Sequence, residues 1–289
     1  MKQLFFIGFY CVILSLTSCQ PTARLLKYIP SQKIERLTFE ESSNKDFPFH
    51  CNESENDYIK QLNDNYGLQN MVKGKTEIEA VGILTNWTNK QWPHSGNNVP
   101  SKSDAISILR EAKQGKKFRC VEYGIVNASV LNAVGLKART IGLKTKDVEK
   151  VKYAGGHVAS EVYLSSYKKW IFADAQFNVI PFLNDIPLNA VELQKAIIGN
   201  KQELQFKRNG IIIDSKEKSD YLKFISKYLF YFDINFDNRI GVADKEKHNG
   251  FYKLMLVPIG KEKPKTFQRD SKIEAIYTNS INTFYTIPN

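Results

Sequence analysis

The stretch that most constrains this chain runs from Phe118 to Asp174. Lys116–Arg119 reads as a short extended approach. Val121–Val134 then has Ile125, Ala128, Leu131 and Val134 recurring on one helical face, and Gly135 ends the pattern. Lys137–Leu143 reads as a strand containing Arg139, and Asp147–Gly156 as a Lys-rich loop ending in glycine. His157–Leu164 and Trp170–Ala175 read as strands joined by Ser165-Ser166-Tyr167-Lys168. A helix, a strand and a hairpin thus carry a thiol at the helix start, with an imidazole and a carboxylate on the hairpin: Cys120, His157 and Asp174.

A cysteine at a helix N-terminus faces the positive end of the macrodipole, and Arg119 adds a positive neighbour; both favour the reactive thiolate. The free N–H groups of that first turn point where an oxyanion forms after attack on a carbonyl. Pairing Leu164 with Tyr167 sets His157 directly opposite Asp174 on one face of the hairpin. The carboxylate can then hold one imidazole nitrogen and leave the other for Cys120. Gly155-Gly156 permits close backbone approach at the mouth of this strand. Singly, each residue has a plainer reading: a filler thiol, a core histidine, an aspartate ending a strand. Their joint placement favours chemistry.

The same stretch resembles the transglutaminase-like core. The resemblance is carried by Phe118-Arg119-Cys120-Val121-Glu122-Tyr123-Gly124, Val134-Gly135-Leu136-Lys137-Ala138-Arg139, Gly156-His157-Val158 with Glu161-Val162-Tyr163, and Lys169-Trp170-Ile171-Phe172-Ala173-Asp174. It covers about Ile78 to Pro181. It implies a papain-like α+β fold, with N-terminal helices packed on an antiparallel sheet, and a Cys120–His157–Asp174 triad. The implied reaction is acyl transfer: Cys120 attacks an amide carbonyl of a protein or peptide-like substrate and forms a thioester, with an amine or water as acceptor and no cofactor. The family also contains members that have lost catalysis, so the rival reading is a non-catalytic binding or structural envelope lipoprotein. Where the family usually has Pro after the aspartate, Ala175-Gln176 stands here. Trp87, Gln91 and Trp92 are the candidates for a further oxyanion donor, and Trp92 with His94 is the preferred cleft loop.

The rest of the chain reads as scaffold and tether. Lys2 and the apolar run Leu4–Leu16 have the layout of a secretory signal, too short to span a bilayer comfortably. Leu16-Thr17-Ser18-Cys19 resembles a bacterial lipobox, which implies cleavage before Cys19, lipidation of its thiol and a membrane-anchored place in the cell envelope. The organisation expected is a signal peptide at 1–18, a lipidated tether and irregular segment at 19–55, the transglutaminase-like core at 56–181 and a C-terminal α/β extension at 182–289. Helices are expected at Asn56–Tyr66, from Thr76 with a Thr76/Glu79 capping box, and at Ser103–Gln114. Beyond Pro181, Leu188–Ile198 and Ser219–Leu229 read as helices. Phe230–Phe236, Phe251–Val257, Ile273–Tyr277 and Thr283–Ile287 read as strands. This part either extends the sheet or forms a small lobe over the cleft.

The net charge of +11 is spread along the chain without the concentrated, aromatic-interleaved patches of a nucleic-acid binder. With Cys11 and Cys19 accounted for, Cys51 and Cys120 are either one disulfide or two free thiols. Asp233-x-Asn235-x-Asp237 with Asp244 resembles a calcium loop, but Asn238 replaces the turn glycine and Asp244 the bidentate Glu, so a polar turn is the better reading. Cys120, His157, Asp174 and His94 lack the paired spacing of zinc ligands, so no metal is expected.

Overall fold

A computed structural model describes residues 34–42, 47–52 and 55–288. The expected signal peptide, the Cys19 lipidation site and most of the tether lie outside the described residues. Among the described residues, no helix is long and apolar enough to cross a membrane.

The N-terminal half is helical for local reasons. The Asn56 side chain accepts from Ile59 N at 2.9 Å and starts α1 (Asp57–Tyr66), which closes at Gly67 with φ 63°. After α2 (Leu68–Val72), Thr76 and Glu79 cap each other's backbone to start α3 (Glu77–Asn89). Asp104 caps α4 (Ala105–Lys113) through Ser107 N at 3.0 Å, and α5 (Cys120–Ala133) follows. The single apolar face expected for this last helix is too narrow an account. Nearly every residue from Glu122 to Ala133 is buried, because α5 packs on strands on one side and on α1, α3 and α4 on the other.

The strands are β1 (Lys137–Lys144), β2 (Gly156–Leu164) and β3 (Lys169–Ala173). A smaller group follows: β4 (Ile180–Leu183), β5 (Ile186–Pro187), β6 (Gln205–Arg208) and β7 (Ile211–Ile212), with α6 (Ala190–Gly199) between β5 and β6. Then come α7 (Ser215–Ile225), a 3-10 turn at Ser226–Tyr228, β8 (Tyr231–Asn235), β9 (Lys253–Leu256), the hairpin strands β10 (Thr266–Phe267) and β11 (Ser271–Lys272), β12 (Ile276–Thr278) and α8 (Ile281–Phe284). The main sheet has the order β12-β9-β8-β1-β2-β3, antiparallel except for the parallel β12–β9 pair. The molecule is thus α+β, and the segment beyond residue 181 supplies half of its central sheet. One core lies between the sheet and α1–α5. The other lies on the opposite face under α6 and α7, with Leu37, Phe39, Phe47 and Phe49 packed into it.

Two local expectations change. The hairpin register is Leu164↔Lys169 through Ser160↔Ala173, two positions away from the one that sets His157 opposite Asp174. The connection is four residues long: Lys168 takes φ 53°, Leu164 O accepts from Tyr167 N, and the Glu77 carboxylate of α3 accepts from the amides of Ser165 and Ser166 at 3.2 and 2.9 Å. Because a strand repeats every two residues, a two-residue shift keeps both side chains on one face and makes them diagonal neighbours. Thr283–Ile287 is not a strand. Ser280 caps Thr283 N at 3.1 Å and starts the short helix α8, which buries Phe284.

The C-terminal end is tied to the core through a buried charge. Arg139 lies over the Trp170 ring at 4.0 Å, pairs with Glu161 at 2.8 Å and donates to Phe284 O at 3.2 Å. Glu161 also accepts from Tyr285 Oη at 2.9 Å and Ala190 N at 3.1 Å, so its carboxylate is fully enclosed by hydrogen-bond donors. In the calcium-like loop, Asp233 sits between Lys144 and Lys253, and Arg239 takes Asp237 at 2.6 Å. Among the described residues no group of three or more His, Cys, Asp or Glu side chains is arranged to hold a metal.

Candidate active site

Cys120 is the first residue of α5, and the helix is brought unusually close to β2 by what lies one turn further on. A Cβ at Gly124 would stand 2.8 Å from Val158 Cγ1 and 3.0 Å from Ala159 O. One turn beyond, Asn127 Nδ2 donates to Ser160 Oγ at 2.6 Å, and that hydroxyl donates to Ala173 O at 2.9 Å. Cys120, Gly124 and Asn127 lie at i, i+4 and i+7, so one helix stripe sets the distance to the strand that carries His157. Gly124→Ala is therefore expected to push α5 off β2. It should cost about 1–3 kcal/mol of stability and slow alkylation of Cys120, measured by urea melts and by iodoacetamide labelling.

His157 and Asp174 meet across the end of the hairpin. His157 Nε2 lies 2.8 Å from Asp174 Oδ2, which leaves Nδ1 free, and the Cys120 thiol is coupled electrostatically to the same imidazole. The Asp174 carboxylate has four donors. Oδ2 takes His157 and the Tyr221 hydroxyl at 3.0 Å, while Oδ1 takes the amides of Gln176 and Phe177 at 3.1 and 3.3 Å. The Ala175–Asn178 turn is closed by paired Asp174 and Val179 backbone bonds. Asn89 of α3 binds its carbonyls at Ala175 and Gln176, so the turn needs no proline.

The electrostatics follow from this geometry. Burial pushes the Cys120 thiol up, but the hydrogen bond and charge of His157, with the Val158 amide, bring it below its ordinary value. Burial pulls His157 down, and the charge and hydrogen bond of Asp174 outweigh it, raising the imidazole to about 10. The balance favours a thiolate–imidazolium pair. Arg119 contributes less than its position suggests, because its guanidinium is held by Glu122 at 2.7 Å. Both thiols, Cys51 and Cys120, are free; Cys51 is buried and Cys120 partly exposed.

The Trp92–His94 loop lies against the chain just before Cys120. Ser95 N donates to Phe118 O at 2.8 Å, and the Trp92 indole packs on Tyr123 at 4.6 Å and Phe118 at 5.7 Å. Its Nε1–H is buried with no hydrogen-bond acceptor. Gln91 spends its amide on Trp87 O at 2.8 Å, and Trp87 packs edge-on against Tyr66. His94 lies in the field of His157. Burial and that neighbouring charge hold it below its ordinary value, hence neutral near pH 7.

Sequence reasoning missed the wall on the other side. The His157 ring is met edge-on by Phe224 at 5.0 Å and Phe177 at 6.2 Å, and obliquely by Tyr228 at 5.7 Å, leaving it 2% exposed. Tyr221, Phe224 and Tyr228 come from α7 and the turn after it. Their i, i+3, i+7 spacing marks an apolar stripe, but nothing local says that this stripe covers His157.

Residues 66–175 match the family model described as the transglutaminase-like superfamily. This segment is a transglutaminase-like domain. No curated protein matches the chain. Among solved structures, a provisionally assigned cysteine protease of Cytophaga hutchinsonii is similar at 15% identity, covering 43% of each chain with a TM-score of 0.33. A structure described as a TGase is similar at 19% identity, covering 41% of this chain and 30% of its own, with a TM-score of 0.30. Calcium-bound LapG of Legionella pneumophila is similar at 14% identity, covering 51% of this chain and 79% of its own, with a TM-score of 0.31. The chain thus spans less than half the length of the first two. The domain assignment rests on the family match and is compatible with a thiol enzyme. The transglutaminase-like domain as matched contains Cys120, His157 and Asp174 and ends at Ala175, so the α7 side chains reach the site from outside it.

Proposed function

We propose that this protein is a thiol-dependent acyltransferase or hydrolase acting on peptide-like amides, with Cys120 as nucleophile, His157 as proton carrier and Asp174 as its orienting acid. The observation that supports this most is the 2.8 Å His157–Asp174 pair, electrostatically coupled to Cys120 at the start of a helix, with the thiol lowered and the imidazole raised. The thiolate adds to the amide carbonyl. By helix geometry the first-turn amides of α5 lack intrahelical acceptors, and together with the unpartnered Trp92 Nε1–H they serve the developing oxyanion. The imidazolium gives its proton to the departing amine, leaving a thioester on Cys120. An amine or water then attacks the thioester, His157 takes the proton from it, and the thiolate returns. His94, neutral beside the imidazole, lines the cleft.

The test is acid-quenched mass spectrometry of the protein after incubation with a peptide library, with and without a primary amine. An acyl adduct on Cys120, and hydrolysed or amine-linked products that depend on it, are expected. No Cys120-dependent change across the library, together with ordinary thiol reactivity, contradicts the reading.

The N-terminal sequence supports a second part of the proposal: anchoring in a bacterial envelope membrane through lipidated Cys19. Radiolabelled palmitate should enter the wild-type chain and not Cys19→Ala. Equal labelling of the two, or none in either, is the contrary result.

A further inference from the structure

We propose that Tyr221 is a positioning residue for the Asp174–His157 pair, supplied by the C-terminal segment to a site whose reacting groups lie within residues 66–175. The proposal rests on the functional reading above. The Tyr221 hydroxyl donates to Asp174 Oδ2 at 3.0 Å, the same oxygen that holds His157 Nε2 at 2.8 Å. The tyrosine is 3% exposed, and its ring is fixed between Phe177 at 5.1 Å and Phe206 at 5.0 Å. The other carboxylate oxygen is occupied by two backbone amides, so Asp174 cannot rotate to give His157 an oxygen of its own. Tyr221 therefore shares the charge that His157 feels.

A hydrogen bond from a neutral donor stabilises the carboxylate and weakens its pull on the imidazolium proton. Without the hydroxyl, Oδ2 keeps a single donor in a buried setting and holds the imidazolium more strongly. His157 then keeps its proton to higher pH and passes it less readily to a leaving amine. The other groups facing the imidazole are Cys120 from α5, Tyr228 from the turn after α7, and His94 from the loop before α4. None of these is altered by changing Tyr221. Burial and the Asp174 charge both keep the phenol protonated, so Tyr221 acts as a donor throughout the working range.

Tyr221→Phe keeps the ring and removes only the hydroxyl. With histidine labelled at Cε1, the chain gives four imidazole signals, and His157 can be titrated by NMR without any substrate. The expected result is a rise of about one pH unit in the His157 midpoint, the size of one hydrogen bond to a charged group. Phe206→Leu is the control: it loosens the ring's packing, and it should lower the thermal midpoint while leaving the His157 midpoint in place. An unchanged or lowered His157 midpoint in Tyr221→Phe, or an equal rise in Phe206→Leu, overturns the proposal and leaves Tyr221 as core packing. If wild-type Cys120 shows no enhanced reactivity, the functional reading fails instead, and the two failures are distinguishable.

Discussion

Cys120→Ala is expected to reduce acyl transfer by at least about 10⁴-fold, as removal of a nucleophile that acts as one unit with its base does elsewhere. The fold should be little disturbed. The side chain is small and partly exposed, the helix start is held by Glu122 accepting from Arg119 N at 3.0 Å, and α5 is fixed further along by Asn127. A stability change below about 1 kcal/mol is expected. The comparison to make is turnover of any substrate found in the library, wild type against Cys120→Ala, with Cys51→Ala alongside. Cys51 is the second free thiol, buried, and held above its ordinary value chiefly by that burial. Its removal should leave turnover within a few-fold of wild type. Activity retained in Cys120→Ala, or lost equally in Cys51→Ala, would move the chemistry away from the helix start.

Asp174→Asn should be almost as damaging, for a reason specific to this site. Asp174 Oδ1 accepts from the amides of Gln176 and Phe177, so an asparagine at this position must put its carbonyl oxygen there. Its NH₂ then faces His157 and must donate to Nε2. The imidazole is forced to carry its proton on Nδ1, toward the thiol, where it cannot accept one. The negative charge that raises His157 is lost as well. We expect a fall of about 10³–10⁴-fold in kcat, the range seen when an orienting aspartate enforces the wrong tautomer. The acid limb of Cys120 alkylation should also rise toward that of an ordinary thiol. The sign follows from the couplings: Asp174 raises His157, and protonated His157 lowers Cys120, so deleting the first step weakens the second. A variant with lower kcat but an unmoved alkylation limb would separate Asp174 from the thiol and contradict this chain of effects.

Much of this arrangement was legible locally. The caps at Asn56 and at Thr76 with Glu79, and the stop at Gly67, act within a few residues, and the helices begin or end there. The same is true of the helix start at Cys120 and the two strands of the hairpin. The register was not legible, because it depends on a four-residue turn with Lys168 at positive φ and on Glu77, which reaches the turn from another helix. It shifted by two rather than one, so the shared face of His157 and Asp174 held while their direct opposition did not. The C-terminal segment was the least legible. Its strands exist because β8 pairs with β1 and β12 lies parallel to β9, partners far away in sequence. The Thr283–Ile287 stretch has strand-like residues, but the Ser280 cap and the burial of Phe284 make it helical. α7 starts at Ser215, four residues before the expected Ser219, because Asp214 accepts from Glu217 N at 2.8 Å, and its role as the wall over His157 exists only in the folded molecule.

The central claim is that Cys120 is held as a thiolate by His157 and Asp174. The most direct measurement is the rate of iodoacetamide alkylation at Cys120 as a function of pH, resolved from Cys51 by peptide mass spectrometry. The account predicts that Cys120 reacts selectively over Cys51 below pH 7, with an acid limb under that of a free thiol, while the limb of Cys51, raised by burial, lies above it. A Cys120 rate that rises only near pH 8–9, in step with an ordinary thiol, would contradict it.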